Sequence, residues 1–196
     1  MIPVTQQRYY SPEEYLELEE TAEFRSEYHA GKIIPMTGGT PNHNLIAGNF
    51  YAAILAELRG QPYRVFMSDL RLWIPQRKIY TYPDIMVVPR PLEFLEERKD
   101  TITNPLMIAE VLSKSTESYD RGKKFEHYRT IPTFQEYILI DQYRMHVDQF
   151  SKTEDGRWLF SEYDGEAAVL SLTSVQFQIA LTDIYQEIEF ETGEEE

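Results

Sequence analysis

The chain has 196 residues, of which 42% are hydrophobic and 13% aromatic, enough apolar material for one packed domain and too much for a disordered chain. It contains no cysteine, which excludes disulfides, thiol nucleophiles and cysteine-ligated zinc. The net charge of −14 disfavours a broad basic surface for nucleic acid, and no stretch approaches the roughly 18 consecutive apolar residues of a membrane span. We therefore expect a cytoplasmic protein with no membrane partner.

Six glutamates lie close together at the C-terminal end: Glu187, Glu189, Glu191, Glu194, Glu195 and Glu196. They leave a charge of −8 on the rest of the chain. A like-charged end of this kind is typical of a solvated tail. We predict a single domain over residues 1–186 and an acidic C-terminal tail over residues 187–196.

The first third of the chain predicts two helices separated by a short hairpin. Ser11 reads as a helix cap, with proline next and Glu14 three residues after the cap, and this helix ends before Arg25. Residues 27–34 read as a strand with a turn at Gly31. Apolar residues recur at helical spacing over residues 42–59, which predicts the second helix.

The middle of the chain is rich in strand signals. Residues 63–67 and 69–74 read either as two strands or as one long bent strand, and residues 84–88 as a further strand. Residues 89–105 predict a loop with a short helix around residues 92–96. Residues 106–112 are apolar except for Glu110, a pattern typical of a strand buried on both faces.

The last part of the chain alternates between a helix and strands. Residues 120–128 predict a helix, and residues 137–140 a short buried strand. Residues 145–150 and 158–160 predict a hairpin, with its turn at Asp155-Gly156. The order of elements predicts an α/β protein with a mixed sheet and helices packed on it.

Two carboxylates at otherwise apolar positions are the strongest chemical signal. Asp84 follows Pro83 at the start of a strand, and Glu110 interrupts the buried run. A buried carboxylate costs several kcal/mol unless an ion pair, a hydrogen-bond network or a metal compensates it. The pair suits Mg²⁺ or Mn²⁺, the carbonyl of Val111 offers a further oxygen ligand, and Lys124 offers a positive group for phosphodiester hydrolysis. This arrangement requires the two strands to be adjacent.

Each of these residues also has an ordinary structural interpretation. Asp84 could cap a turn, Glu110 could form a structural salt bridge, and Lys124 could be a solvated helix residue. The three occurring together favour the metal site over the separate structural roles.

A longer series of motifs carries a family resemblance. It comprises Glu27-Tyr28 with Gly31, His43-Asn44, Pro83-Asp84, Glu110-Val111-Leu112-Ser113 with Ser115-Thr116, Asp120 with Lys124 and Tyr128, then Glu136-Tyr137 and Asp141. From about residue 11 to 147 the chain resembles a large bacterial family of restriction-endonuclease-like proteins, once a domain of unknown function, within the PD-(D/E)XK nuclease superfamily. The resemblance implies a restriction-endonuclease-like fold, a central mixed β-sheet flanked by helices, and metal binding by Asp84 and Glu110.

The resemblance also bears on three further residues. The superfamily's commonest pattern has a lysine two residues after the acid, but Leu112 stands there, so the lysine is taken from the following helix as Lys124, with Lys123 as the alternative. Glu27 would add an acid beside the metal, or it is an ordinary exposed acid near a turn. His43 would contact substrate, or it is a structural histidine at a helix start.

The resulting hypothesis is a Mg²⁺- or Mn²⁺-dependent endonuclease acting on nucleic acid, with DNA as the expected substrate. A homodimer is expected by analogy with nucleases that cut both strands. The alternative is a catalytically inactive binding or regulatory module that keeps the nuclease fold. The acidic balance motivates that alternative, together with the absence from the sequence of a recognisable target-recognition domain.

Overall fold

The structure is a computed structural model that describes residues 8–96 and 98–190. Its helices are α1 (Pro12–Thr21), α2 (Pro41–Glu57), α3 (Glu117–Tyr119), α4 (Phe125–Tyr128) and α5 (Leu181–Ile184), and a π-helical turn (Asp120–Lys124) joins α3 to α4. Its strands are β1 (Ser26–His29), β2 (Lys32–Pro35), β3 (Tyr63–Met67), β4 (Arg71–Ile74), β5 (Ile79–Thr81), β6 (Ile85–Pro89), β7 (Thr101–Ile102), β8 (Met107–Leu112), β9 (Glu136–Asp141), β10 (His146–Lys152), β11 (Trp158–Asp164), β12 (Val169–Ser171) and β13 (Gln178–Ala180). The predicted α/β class, a mixed sheet flanked by helices, is confirmed.

A six-stranded sheet forms the centre of the fold, in the order β11-β10-β9-β8-β6-β3. Strands β8 and β9 run parallel, whereas β6 pairs antiparallel with β8 and β10 antiparallel with β9. All six residues of β8 are buried, as the apolar run predicted. The predicted hairpin is also present, since β10 and β11 pair across the turn that contains Gly156.

A second sheet has the order β2-β1-β5-β4-β7, and its strands are not hydrogen-bonded to those of the central sheet. Strand β3 belongs to the central sheet and β4 to this second sheet, so the interpretation as one long bent strand is wrong. The short helix predicted around residues 92–96 is also wrong. Phe94 instead forms a β-bridge with Ile102, which belongs to β7, the strand that pairs with β4.

The two faces of the central sheet pack against different layers. Helix α2 covers one face, with Phe50 and Ile54 fully buried. The other face packs against α4 and the second sheet, and it includes Met86 and Ile108. Side chains alternate along a strand, so Asp84, two residues before Met86, and Glu110, two residues after Ile108, belong to this second face.

The chain's end contributes apolar side chains to the first face. Ile188 and Phe190 pack against the core that contains α2, while residues 191–196 of the predicted acidic tail lie outside the described residues. The boundary between residues 186 and 187 stays a prediction. Across the ranges 8–96 and 98–190, no helix combines the length and the apolar character needed to cross a bilayer.

A tyrosine-lined ion pair connects α1 to the second sheet. Arg71 faces away from Leu72 as predicted, but it is only 4% exposed, and its Nε donates to the Tyr82 hydroxyl at 2.8 Å. Its Nη2 lies 3.7 Å from a carboxylate oxygen of Glu19, which also accepts from Tyr82 at 2.7 Å. The guanidinium therefore neutralises an acid that is itself buried.

Replacing Arg71 with methionine should destabilise the fold strongly. The change leaves the Glu19 carboxylate buried without its cation, a situation that costs about 3 kcal/mol or more of unfolding free energy. Urea denaturation measures the loss, and the exposed Arg59→Met is the matched control. Adding Glu19→Gln to Arg71→Met should recover part of the stability, and a loss unchanged by the second substitution would contradict the ion-pair explanation.

Candidate active site

The pairing of β6 with β8 brings Asp84 and Glu110 together. Ile85 lies opposite Ala109 in this antiparallel pair. Asp84, one residue before Ile85, therefore lies beside Glu110, one residue after Ala109, on the same face of the sheet. The Asp84 amide donates to Glu110 Oε2 at 3.4 Å, and the Val111 amide donates to Asp84 Oδ2 at 2.8 Å. The strand adjacency that a shared metal site requires is present.

Glu110 is buried, and two further side chains donate hydrogen bonds to its carboxyl group. Its Oε1 accepts from the Tyr128 hydroxyl at 2.7 Å and lies 2.9 Å from Lys124 Nζ. Burial raises the pKa of Glu110 to about 8, against the opposing effect of the Lys124 ammonium. Burial alone would lower the pKa of Lys124, but Glu110 and Asp120 raise it above the ordinary lysine value. Lys124 is therefore a charged lysine held between the Glu110 carboxyl group and Asp120.

The π-helical turn explains how Lys124 reaches the site. Lys124 Nζ lies 3.3 Å from Asp120 Oδ1 on the same turn, so one short segment supplies both an acid and its cation. π-Turns inside helices are frequent at functional sites. Arg121 contacts the buried Asp148 of β10 and so ties this turn to the central sheet. Lys123, the alternative lysine, is exposed.

Glu27 reaches the same cleft from β1 of the second sheet. Its side chain is 16% exposed and accepts from Thr81 Oγ1, while His29 Nε2 lies 2.8 Å from its other oxygen. Burial raises its pKa, but the bonds from His29 and Thr81 and the charge of Lys124 together lower it to about 2. Glu27 is thus a fixed, ionised carboxylate, unlike an ordinary exposed acid.

His43 stands at the start of α2, where the Thr40 side chain caps the helix by accepting from the His43 amide at 3.1 Å. Its Nε2 lies 3.2 Å from Asp84 Oδ2. Burial lowers the pKa of His43, yet the hydrogen bond and charge of Asp84 outweigh burial and raise it. A Cβ on Gly39 would lie 2.9 Å from His43 Nδ1, so glycine at this position leaves room for the ring.

These side chains line one cleft of about 220 Å³. The cleft contains all the candidate residues from the sequence: Glu27, His43, Asp84, Glu110, Val111 and Lys124. Sequence reasoning therefore selected residues that the fold brings together, although they come from five separated segments. The metal-ligand role of the Val111 carbonyl stays a prediction.

The donor set fits a hard divalent cation. Asp84 and Glu110 supply carboxylate oxygens, and Mg²⁺ in proteins is commonly held by one or two carboxylates while it keeps several waters. Within the described part of the chain, Asp84 Oδ1 takes part in no hydrogen bond, and Glu110 Oε2 accepts only the long bond from the Asp84 amide. One oxygen of each acid is therefore available to a cation.

A second group of potential metal ligands lies outside the cleft, on β10 and β11. His146, Asp148 and Glu162 place one ligand atom each within 4.8 Å of one another. Arg121 already contacts Asp148, and His146 Nε2 lies 3.0 Å from Asp148 Oδ1. The guanidinium would repel a cation there, so this group fits a buried ion-pair network better than a metal site.

The structure adds residues at or beside the cleft that sequence reasoning missed. His29 and Thr81 orient Glu27, and the Tyr119 hydroxyl lies 3.3 Å from His29 Nδ1. A signal for His29 existed, since it stands two residues after Glu27 on a strand and so shares its face. Thr81 had no such signal, because its contact joins residues 54 positions apart.

The chain is similar in sequence to a known family and to two proteins of a cyanobacterium. Residues 12–182 match the family Uma2, described as "Putative restriction endonuclease". An uncharacterized protein of Synechocystis is 42% identical over 82% of this chain and 90% of its own length, and a second one is 37% identical over 92% and 93%.

The structural comparison concerns the fold. A crystal structure described as "a putative nuclease belonging to DUF820", from Anabaena variabilis, superposes with a TM-score of 0.74 at 22% identity, and the match covers 90% of this chain and 97% of that one. This agreement confirms the restriction-endonuclease-like fold. With a family match that spans most of its length, the chain belongs to the Uma2 family of restriction-endonuclease-like proteins.

Proposed function

We propose that this chain is a Mg²⁺- or Mn²⁺-dependent endonuclease of the cytoplasm that hydrolyses phosphodiester bonds of DNA. The observation that carries the proposal is the convergence of Asp84, Glu110 and Lys124 in one cleft, with Glu110 and Lys124 only 2.9 Å apart. Family membership and the nuclease-like fold support the same activity.

Each residue has a distinct task in this proposal. Asp84 and Glu110 hold the cation, which when bound supplies Lewis-acid stabilisation of the charge that develops on the phosphate. Lys124 donates a hydrogen bond to the attacking water and orients it toward phosphorus, while Glu27 accepts a hydrogen bond from the same water molecule. Hydrolysis adds the elements of water across one P–O bond, and the proton released passes to solvent.

The wild-type protein tests the proposal directly. Supercoiled plasmid incubated with the protein and Mn²⁺ should be converted to nicked and linear forms, and excess EDTA should stop the conversion. Cleavage that continues in EDTA would contradict metal dependence. If metal-loaded protein leaves both the plasmid and single-stranded DNA intact, DNA hydrolysis is contradicted.

Metal affinity should depend on pH because Glu110 holds a proton near neutrality. Its pKa is about 8, so below that pH a cation must displace the proton, and affinity should rise about tenfold per pH unit up to pH 8 and then level off. Titrations of Mn²⁺ at pH 6.5, 7.5 and 8.5 measure this rise.

Tyr128→Phe provides the matched variant for the pH experiment. The Tyr128 hydroxyl donates to Glu110 and favours its ionised form, so its loss should move the affinity curve to higher pH. An affinity that stays constant across these pH values would show that Glu110 is not among the ligands.

A second candidate function is the inactive module of the same fold. The contact between Glu110 and Lys124 favours it, because at 2.9 Å the Lys124 ammonium and the Glu110 carboxyl group satisfy each other without a metal. The module interpretation expects a melting temperature that does not respond to Mg²⁺. A rise in melting temperature with Mg²⁺ that is lost in Asp84→Asn would contradict it.

A homodimer is part of the proposed function, since a duplex has two strands to cut. Sedimentation equilibrium measures the assembly directly. A purely monomeric protein that still linearises plasmid would remove the need for a dimer.

A further inference from the structure

The cleft has two unlike rims. The first, the apolar rim, is Ile34, Pro35 and Met36, in which Ile34 is 42% exposed and Met36 39% exposed. The second, the polar rim, consists of Ser113 and Thr116, which line the cleft, and of Lys114, Ser115 and Tyr143 beside them. The candidate metal ligands line the same cleft.

Hydroxyl groups and the exposed Lys114 define the polar rim. Ser113 Oγ lies 3.0 Å from Ser115 Oγ and 2.9 Å from Thr116 Oγ1. The side chain of Lys114 is exposed and lies over the ring of Tyr143, with Nζ 5.1 Å from the ring centroid. These groups are donors of the kind that contact a sugar-phosphate backbone.

Tyr143 adds a flat apolar surface beside those donors. It is 40% exposed, and its hydroxyl accepts from the Lys114 amide at 3.1 Å, which fixes the ring against the rim. An exposed, fixed aromatic ring next to a lysine is a platform on which an unpaired base can stack. Ile34 and Met36, which line the cleft, offer a second apolar surface.

Charge also discriminates between a duplex and a single strand. The chain has a net charge of −14, and Glu27, Asp84, Glu110 and Asp120 all line the cleft. Duplex DNA carries about one negative charge per 1.7 Å of axis, roughly twice the density of one of its strands. An acidic protein with one exposed lysine on the rim repels the duplex more strongly, and a duplex keeps its bases away from both apolar surfaces.

We infer that the cleft takes an unpaired stretch of nucleic acid, with the backbone along the polar rim and bases against Tyr143 and the apolar rim. This inference rests on the proposed nuclease function and narrows its substrate to single strands, loops or frayed ends. The scissile phosphate then lies between the rims, beside Asp84 and Glu110.

Fluorescence anisotropy on matched oligonucleotides tests the inference. The same 20-nucleotide sequence is presented as single-stranded DNA, single-stranded RNA and the corresponding duplexes, with Ca²⁺ as the cation and strand integrity checked on a gel. Either single strand should bind about tenfold more tightly than its own duplex, the size expected from one stacked base. Equal binding, or tighter binding of both duplexes, would overturn the inference.

Variants of the rim separate base stacking from other effects. Tyr143→Ala should weaken single-strand binding about tenfold and leave duplex binding unchanged, while Tyr143→Phe keeps the ring and should keep the affinity. Phe160→Ala removes an aromatic ring that is 48% exposed on the edge strand β11, and it should change neither. If Tyr143→Ala leaves the preference for single strands intact, base stacking on Tyr143 is contradicted.

The same oligonucleotides with Mn²⁺ distinguish the two proposals. Single-strand preference without cleavage would contradict the nuclease function while leaving the binding surface in place. Cleavage of duplex and single strand at equal rates, with equal binding, would support the nuclease function and contradict the inferred substrate.

Discussion

Asp84→Asn is expected to reduce Mn²⁺-dependent cleavage about 10³-fold, because the metal's stabilisation of the transition state is worth several kcal/mol and each 1.4 kcal/mol is a factor of ten. Asparagine has nearly the same shape and keeps an oxygen that can accept from the Val111 amide, now 2.8 Å from Asp84 Oδ2. The fold should therefore survive while the negative charge is lost. Initial rates of plasmid nicking measure the effect.

Asp69→Asn is the matched control for this experiment. Asp69 is exposed and precedes β4, so removing its charge changes the net charge equally without touching the cleft. Its cleavage rate should equal that of the wild type. Equal losses in both variants would mean that net charge rather than a metal ligand controls the rate.

Lys124→Met should produce the second largest loss. A group that positions or transfers protons in the transition state contributes about 10²- to 10⁴-fold, and we expect cleavage to fall by about 10²-fold, the lower end of that range. Metal binding should persist, since Asp84 and Glu110 are retained and a cation can replace the lost ammonium beside Glu110. Single-turnover cleavage at saturating Mn²⁺ separates this loss from weakened binding.

Lys123→Met controls for charge and for the alternative lysine. Lys123 is exposed on the same π-turn, whereas Lys124 lies 12% exposed between Glu110 and Asp120. The control should cleave at the wild-type rate. A loss in Lys123→Met with normal cleavage by Lys124→Met would reverse the assignment of the lysine.

The strands that carry the site were predictable because their patterns are local. The apolar run of residues 106–112, interrupted by Glu110, matches β8, and the strand after Asp84 matches β6 to within one residue at each end. Strand alternation then places both acids on one face once the strands pair. The hairpin turn at Asp155-Gly156 was readable for the same reason.

The second sheet was not predictable in the same way. Its strands β5 and β7 have three and two residues, too short for a periodic signal. Strand β5 pairs with the distant β1 as well as with the neighbouring β4, and β7 pairs with β4. For this reason residues 92–96 were predicted as helix although they lie along that sheet's edge. Strand alternation correctly predicted the direction in which Arg71 faces. Its burial, however, depends on Glu19 of α1, and no local pattern connects the two residues.

The sequence pointed to residues that share one cleft, but it did not predict the contacts that determine their charge states. Whether Glu27 is an exposed acid or a fixed one depends on Thr81 and His29, and only the folded sheet brings Thr81 to it. The π-turn is a departure of one residue from regular helix geometry, and the sequence of residues 120–124 gives no separate sign of it.

Calorimetric titration of Mn²⁺ into the wild type, Asp84→Asn and Glu162→Gln is the most direct test of the metal site. We expect one site in the wild type, its loss in Asp84→Asn and its retention in Glu162→Gln, which belongs to the separate group on β10 and β11. Binding that survives in Asp84→Asn but disappears in Glu162→Gln would move the metal to that group. Absence of binding in the wild type would contradict a metal-dependent nuclease and favour the inactive module.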